Sequence, residues 1–117
     1  MSADLVEHIV KILDDNKAEE ITVLEVTDQI GLTDYFVIAS GQSLPHLNFL
    51  NREVKKQIKD EQDKQPLARE GSADGGWLIT DYGTVIVHLF LPKTRRYYNL
   101  EGLWADAPEL EPKFLKS

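Results

Sequence analysis

The chain contains no cysteine, which excludes disulfide frameworks, thiol catalysis and thiolate metal sites. It has no apolar run approaching the about 20 residues that a membrane-spanning helix requires. Its three histidines, His8, His46 and His88, stand far apart, without the short spacings of a zinc site. Cations are outnumbered as well: 13 Lys and Arg against 20 Asp and Glu leave a net charge of −7. Affinity for a phosphate backbone comes from Lys and Arg neutralising phosphates, so a free-standing nucleic-acid binder is disfavoured. A basic protein is the electrostatically sensible partner. The compact basic group along the sequence is Lys93, Arg95 and Arg96. The opening Met1-Ser-Ala-Asp-Leu-Val-Glu-His8 carries acids and starts a helical pattern, unlike a secretory signal or an Arg-rich transit peptide. A cytoplasmic location is the simplest expectation.

What is present fits one soluble domain over 1–117, with 42% hydrophobic and 28% charged residues. Leu5, Ile9, Ile12 and Leu13 form a helical stripe with Val6 and Val10 beside it. Ile21–Val26 is β-rich, and Tyr35–Ser40 is a continuous apolar run of the kind buried on both faces of a sheet. A second helix starts near Ser43, carries Pro45 in its first turn and buries Leu47, Leu50, Val54 and Ile58. Its charged run to Lys64 reads as a solvated helix end, and Pro66 prevents continuation. Leu67–Arg69, Trp77–Thr80 and Val85–Leu91 read as strands, the last two joined as a hairpin with Gly83 supplying positive φ. Leu100–Trp104 reads as a helical turn, and the Pro-bearing tail from about residue 107 as loosely held. The expected fold class is therefore mixed α/β: a mixed sheet of about five strands packed with two main helices.

Two kinds of chemistry compete for the polar positions. Ser40-Gly-Gln-Ser43, between a buried strand and a helix, has the place of an anion-binding turn. Metal-dependent phosphoryl transfer also needs carboxylates held together, yet no Asp-x-Asp or Glu-x-Glu follows on a strand. Glu109-Leu-Glu111 has the spacing but lies between Pro108 and Pro112 in the tail. No cofactor is implied. His88 shares a strand face with Ile86 and Phe90, so a satisfied core histidine is its first reading. A histidine on a partner-facing sheet surface, paired with Asp81 or Tyr98, is the second, and a catalytic base ranks third. The aromatics Trp77, Tyr82, Tyr97, Tyr98 and Trp104 crowd into a short stretch, as at protein interfaces. Tyr82, in a tight turn, reads as exposed. Two helices are too few to cover both faces of such a sheet, and an uncovered apolar patch marks a protein partner.

Thr33-Asp-Tyr-Phe-Val-Ile-Ala-Ser-Gly41, Glu70-Gly71, Trp77 through Phe90 and Arg96-Tyr-Tyr-Asn-Leu-Glu-Gly-Leu-Trp104, in this order, resemble the ribosomal silencing factor (Iojap-related) family. Leu44-Pro-His-Leu-Asn-Phe-Leu50 departs from that pattern, in which a basic residue and an Ala-rich helix usually follow Ser43. The resemblance implies a nucleotidyltransferase-like fold without the catalytic carboxylates, and a non-enzymatic function. That function is binding to the large ribosomal subunit through the ribosomal protein numbered fourteen, which sterically blocks small-subunit joining and represses translation when nutrients are scarce. It also implies a homodimer off the ribosome and no sequence-specific contact with nucleic acid. The positions it marks for partner binding are Trp77, Leu78, Asp81, Tyr82, His88, Tyr98, Leu100, Glu101 and Trp104. Trp77 and Tyr82 would be anchors, Asp81 and Glu101 would pair with Lys or Arg of the partner, and Leu100 and Trp104 are the readiest to be core instead. The competing readings are a nucleotidyltransferase-like enzyme or nucleotide-binding protein, and a scaffold whose apolar face serves only self-association.

Overall fold

The computed structural model describes residues 2–110. Helix α1 (Ser2–Asp15) buries the stripe expected from its spacing, with Leu5, Ile9, Ile12 and Leu13 almost fully covered. Strand β1 (Glu19–Glu25) runs antiparallel to β2 (Tyr35–Ser40), with an irregularity between Glu19 and Thr22. The connection between them holds one helical turn, α2 (Thr27–Ile30). Helix α3 (Leu44–Gln62) begins as its sequence dictates: extended Ser43 accepts a hydrogen bond from the His46 N–H on its Oγ, and Pro45 occupies the first turn. It ends at Asp63 in the left-handed conformation, before Pro66, and its buried residues are Leu47, Leu50, Val54 and Ile58.

Three strands follow: β3 (Ala68–Ser72), β4 (Trp77–Asp81) and β5 (Val85–Phe90). Pro92 closes the last of them and opens a helix not read from the sequence, α4 (Pro92–Tyr98), followed by α5 (Leu100–Leu103). The six-stranded sheet has the order β3-β4-β5-β2-β1-β6, in which β2 and β5 are parallel and every other pair is antiparallel. The sixth strand, β6 (Glu109–Leu110), lies in the tail expected to be loosely held. It pairs with Val23 and Leu24, the Glu25 N–H donates to the Pro108 carbonyl at 2.8 Å, and Ala107 is buried. The tail is therefore fastened to the sheet through Leu110. Its remaining positions lie outside the described residues, as does Glu111 of the Glu-Leu-Glu pair.

The two sheet faces are covered unequally. Helices α1 and α3 pack on one face, over Val23, Val37, Ala39, Val85, Val87 and Leu89. Each fully buried aliphatic side chain there contributes about 1.5–3 kcal/mol, making this the main core. The opposite face carries Leu24, Val26, Phe36, Ile38 and Phe90 beneath Leu100 and Ala107. Among the described residues, the short α4 and α5 and the incoming tail supply its cover. Both faces of β2 are indeed buried, as its unbroken apolar run requires, but the outer parts of β4 and β5 are not.

Candidate protein-docking face

Strict alternation along β4 sends Trp77, Ile79 and Asp81 to the face away from the long helices, and Leu78 and Thr80 toward them. Register with β5 sets Trp77 opposite Phe90, Ile79 opposite His88 and Asp81 opposite Ile86. Tyr98 leans on Trp77 with ring centroids 4.9 Å apart, and Trp104 meets Phe36 edge-on at 5.7 Å. Ile79, Ile86, Trp77 and Trp104 are only half-buried, while Leu103 is 74% and Tyr98 52% exposed. The result is a shallow aromatic and aliphatic surface. Glu70, opposite Ile79 on β3, and Asp81 place carboxylates on the same sheet face.

His88 lies beneath this surface, 6% exposed, as its core reading anticipates. Its partner is neither Asp81 nor Tyr98: the Trp77 indole Nε1–H donates to His88 Nδ1 at 3.2 Å. Because Nδ1 accepts, the neutral ring carries its proton on Nε2, which has no hydrogen-bond partner among the described residues. The Phe36 ring packs edge-on against the imidazole at 4.7 Å. Burial in this apolar setting lowers the His88 pKa to about 4, so the ring is neutral at physiological pH. It orients Trp77.

Glu101 is also committed within the chain. Its Oε2 accepts from Arg95 Nε at 3.0 Å and from Nη2 at 2.8 Å. The same guanidinium donates to Ser40 Oγ at 2.9 Å and to Thr22 Oγ1 at 3.1 Å, tying α4 to β2 and β1. Arg95 is 6% exposed. The basic group read from Lys93, Arg95 and Arg96 is thus not a surface cluster, because its central member is an internal strut. Among short polar runs the sequence gives no sign of this.

Four of the nine marked positions are core residues, His88 among them. Leu78 points to the long helices and joins the main core, as does Tyr82. Tyr82 was expected to be exposed in its turn, but it folds back under the helical layer and is 9% exposed. Burial raises its phenol pKa to about 12. The physical reason is the hairpin: the Tyr82 N–H donates to the Val85 carbonyl at 2.8 Å, with Gly83 at φ +88°, and this aims the ring inward. Leu100 is buried under the second face. Asp81 is half-buried, and its Oδ1 accepts from the Gly83 N–H at 2.7 Å, bracing that turn. Trp77, Tyr98 and Trp104 remain as surface aromatics. Ile79 and Ile86 complete the patch and were not singled out, although the Trp-x-Ile-x-Asp alternation carries the signal for Ile79.

The turn at Ser40–Ser43 is occupied by its own side chains. Ser40 receives Arg95, the Gln42 N–H donates to His46 Nδ1 at 3.0 Å, and Ser43 takes the His46 N–H. The Gly41, Gln42 and His46 amides are thus engaged within the chain. Among the described residues no group of three or more His, Asp or Glu is arranged to hold a metal ion.

The family profile described as ribosomal silencing factor during starvation matches residues 1–117. The chain belongs to the ribosomal silencing factor family. It is 41% identical over 95 residues to the ribosomal silencing factor RsfS of Bacillus subtilis, covering 81% of this chain and 80% of that protein. It is 37% identical over 101 residues to a mouse protein named for mitochondrial assembly of the ribosomal large subunit, covering 85% of this chain and 44% of that protein. A crystal structure of a Chromobacterium violaceum protein superposes with a TM-score of 0.84 at 28% identity, covering 90% of this chain and 87% of that one. Family and mixed α/β fold thus agree with the resemblance read from Thr33–Gly41 and Trp77–Trp104.

Proposed function

We propose that this member of the silencing factor family docks on the large ribosomal subunit, through the basic ribosomal protein numbered fourteen, and prevents the small subunit from joining. The observation that carries the reading is the half-covered second sheet face, where Trp77, Tyr98 and Trp104 stand beside Ile79 and Ile86. Large rigid aromatics at the centre of an apolar patch are the usual anchors of a protein interface. Glu70 and Asp81 on that face suit a partner rich in Lys and Arg, and the net charge of −7 favours its approach. The mouse relative's name supports the large subunit as the destination. Steric occlusion needs no reacting group, in keeping with the occupied turn at Ser40–Ser43. In this reading the factor is a cytoplasmic translational repressor, not an enzyme, and its apolar face also serves a homodimer when no ribosome is present.

Sedimentation of purified subunits tests the proposal. Saturating factor is expected to hold large subunits apart from added small subunits, and the double variant Trp77→Ala, Tyr98→Ala is expected to lose this effect while its circular dichroism is retained. Unimpaired formation of whole ribosomes in the presence of the native factor would refute it.

A further inference from the structure

A second charged surface lies on the other side of the molecule, where the helical layer meets the β3 edge. Arg52, Lys55, Lys56 and Lys59 repeat at the i, i+3, i+4 and i+7 spacing that aligns side chains along one helix face. The chain then returns through Gln65 and Pro66 to bring Arg69 of β3 against them, across a groove of about 590 Å³. Five cations thus converge in a protein whose net charge is −7. Among the described residues Arg52, Lys55, Lys56 and Arg69 have no carboxylate ion-pair partner. The Lys59 pair with Asp63 is exposed and 3.5 Å long, and such pairs contribute little. Glu53, the one acid lining the groove, accepts from Gln57. Glu61 at the far end of α3 is engaged by His8. The cations repel each other: besides burial, Arg69 and Arg52 lower the pKa of Lys55.

We propose that this groove binds the phosphate backbone of duplex RNA, independently of base sequence. From Arg52 to Lys59 the helix rises about 10 Å, long enough to follow successive phosphates and too long for one. Arginines stand on both walls, Arg52 on α3 and Arg69 on β3, and guanidinium is the side chain best matched to phosphate oxygens. Among the described residues no aromatic side chain lines the groove, so they offer no platform for stacking unpaired bases, which single-strand binders use. Recognition of duplex RNA rests instead on phosphate and shape. An acidic peptide added along the β3 edge would meet Arg69 and leave the α3 stripe unused. The whole-chain charge slows the approach of an anion but opposes contact in the groove only weakly, because acids more than about 8 Å away are largely screened at physiological ionic strength. The proposal does not depend on the docking reading, since it concerns the opposite face of the molecule and a different class of partner.

Fluorescence anisotropy with a labelled RNA hairpin, using the full chain, is the test. Neutralising three to four phosphates predicts that affinity falls about 40- to 150-fold between about 50 and about 200 mM salt. The double variant Lys56→Gln, Arg69→Gln removes two exposed cations and is expected to lower the salt slope by about two, with circular dichroism unchanged. Lys93→Gln with Arg96→Gln, at the other basic segment, is expected to leave binding as it was. No binding at the lower salt, or a salt slope indifferent to the Lys56 and Arg69 substitutions, would overturn the proposal. Tighter capture of poly-glutamate than of the hairpin would overturn it in favour of an acidic peptide.

Discussion

Removing the carboxylate of Glu101 would leave the Arg95 guanidinium, 6% exposed, bound only by two hydroxyl oxygens. A buried charge stripped of its counter-ion is among the costlier defects, so Glu101→Ala is expected to destabilise the fold by about 3 kcal/mol in urea unfolding. Pairing it with Arg95→Met should recover most of that loss, which identifies the cost as the orphaned charge. His88 makes a pH prediction. Its folded pKa of about 4 lies below the ordinary 6.5, so the unfolded chain takes up the proton first as pH falls. Its contribution is complete above about pH 6.5 and declines toward about pH 4; about 2 kcal/mol should vanish between about pH 7 and about pH 5. The unfolding midpoint of His88→Gln should lack that component of the decline. At this scale the sequence is only partly legible. Trp77 and His88 share a face because of a period-two pattern anyone can count, whereas Arg95 and Glu101 meet through a helix whose existence depends on Pro92 starting a new element. Tyr82 misleads because a turn residue is ordinarily exposed, and only the direction of this hairpin turns it inward.

Among the elements, β3 is the most vulnerable. It forms an edge of the sheet, its residues are all exposed, and among the described strands it pairs only with β4. Gly71 holds φ +81°, and a Cβ there would lie 2.1 Å from the Trp77 carbonyl oxygen. Gly71→Ala is therefore expected to cost more than about 1 kcal/mol, and amide exchange should quicken across β3 and β4 before it does in α1. Because Arg69 and Trp77 sit on these strands, the same substitution should weaken both proposed surfaces at once. The long elements are readable because each satisfies several local rules together: α3 has its Ser43 cap, Pro45, a buried stripe and Pro66 beyond its end. Short elements lack such redundancy. The helix α4 and the two-residue β6 owe their form to what they pack against, and nothing in Glu109-Leu110 alone announces a strand.

For the molecule as a whole, two helices on one face and short segments on the other make an asymmetric body. Its sealed side holds it together and its half-covered side remains available. Mixed composition and the aromatic cluster foretell that division, while the charge distribution escapes a residue count, since Arg69 joins the α3 lysines only through folding. The central parallel pair has a further implication for synthesis. Tyr35 of β2 must wait for Val85 of β5, with α3 and the β3–β4 ribbon made in between. A fragment ending at Gly76 is expected to give a circular dichroism spectrum without cooperative melting, because β2 then has only β1 beside it. The chain therefore cannot close its core until β5 has emerged from the translating machine, and a protein proposed to restrain ribosomes gains the shape to do so only after a ribosome has carried it that far.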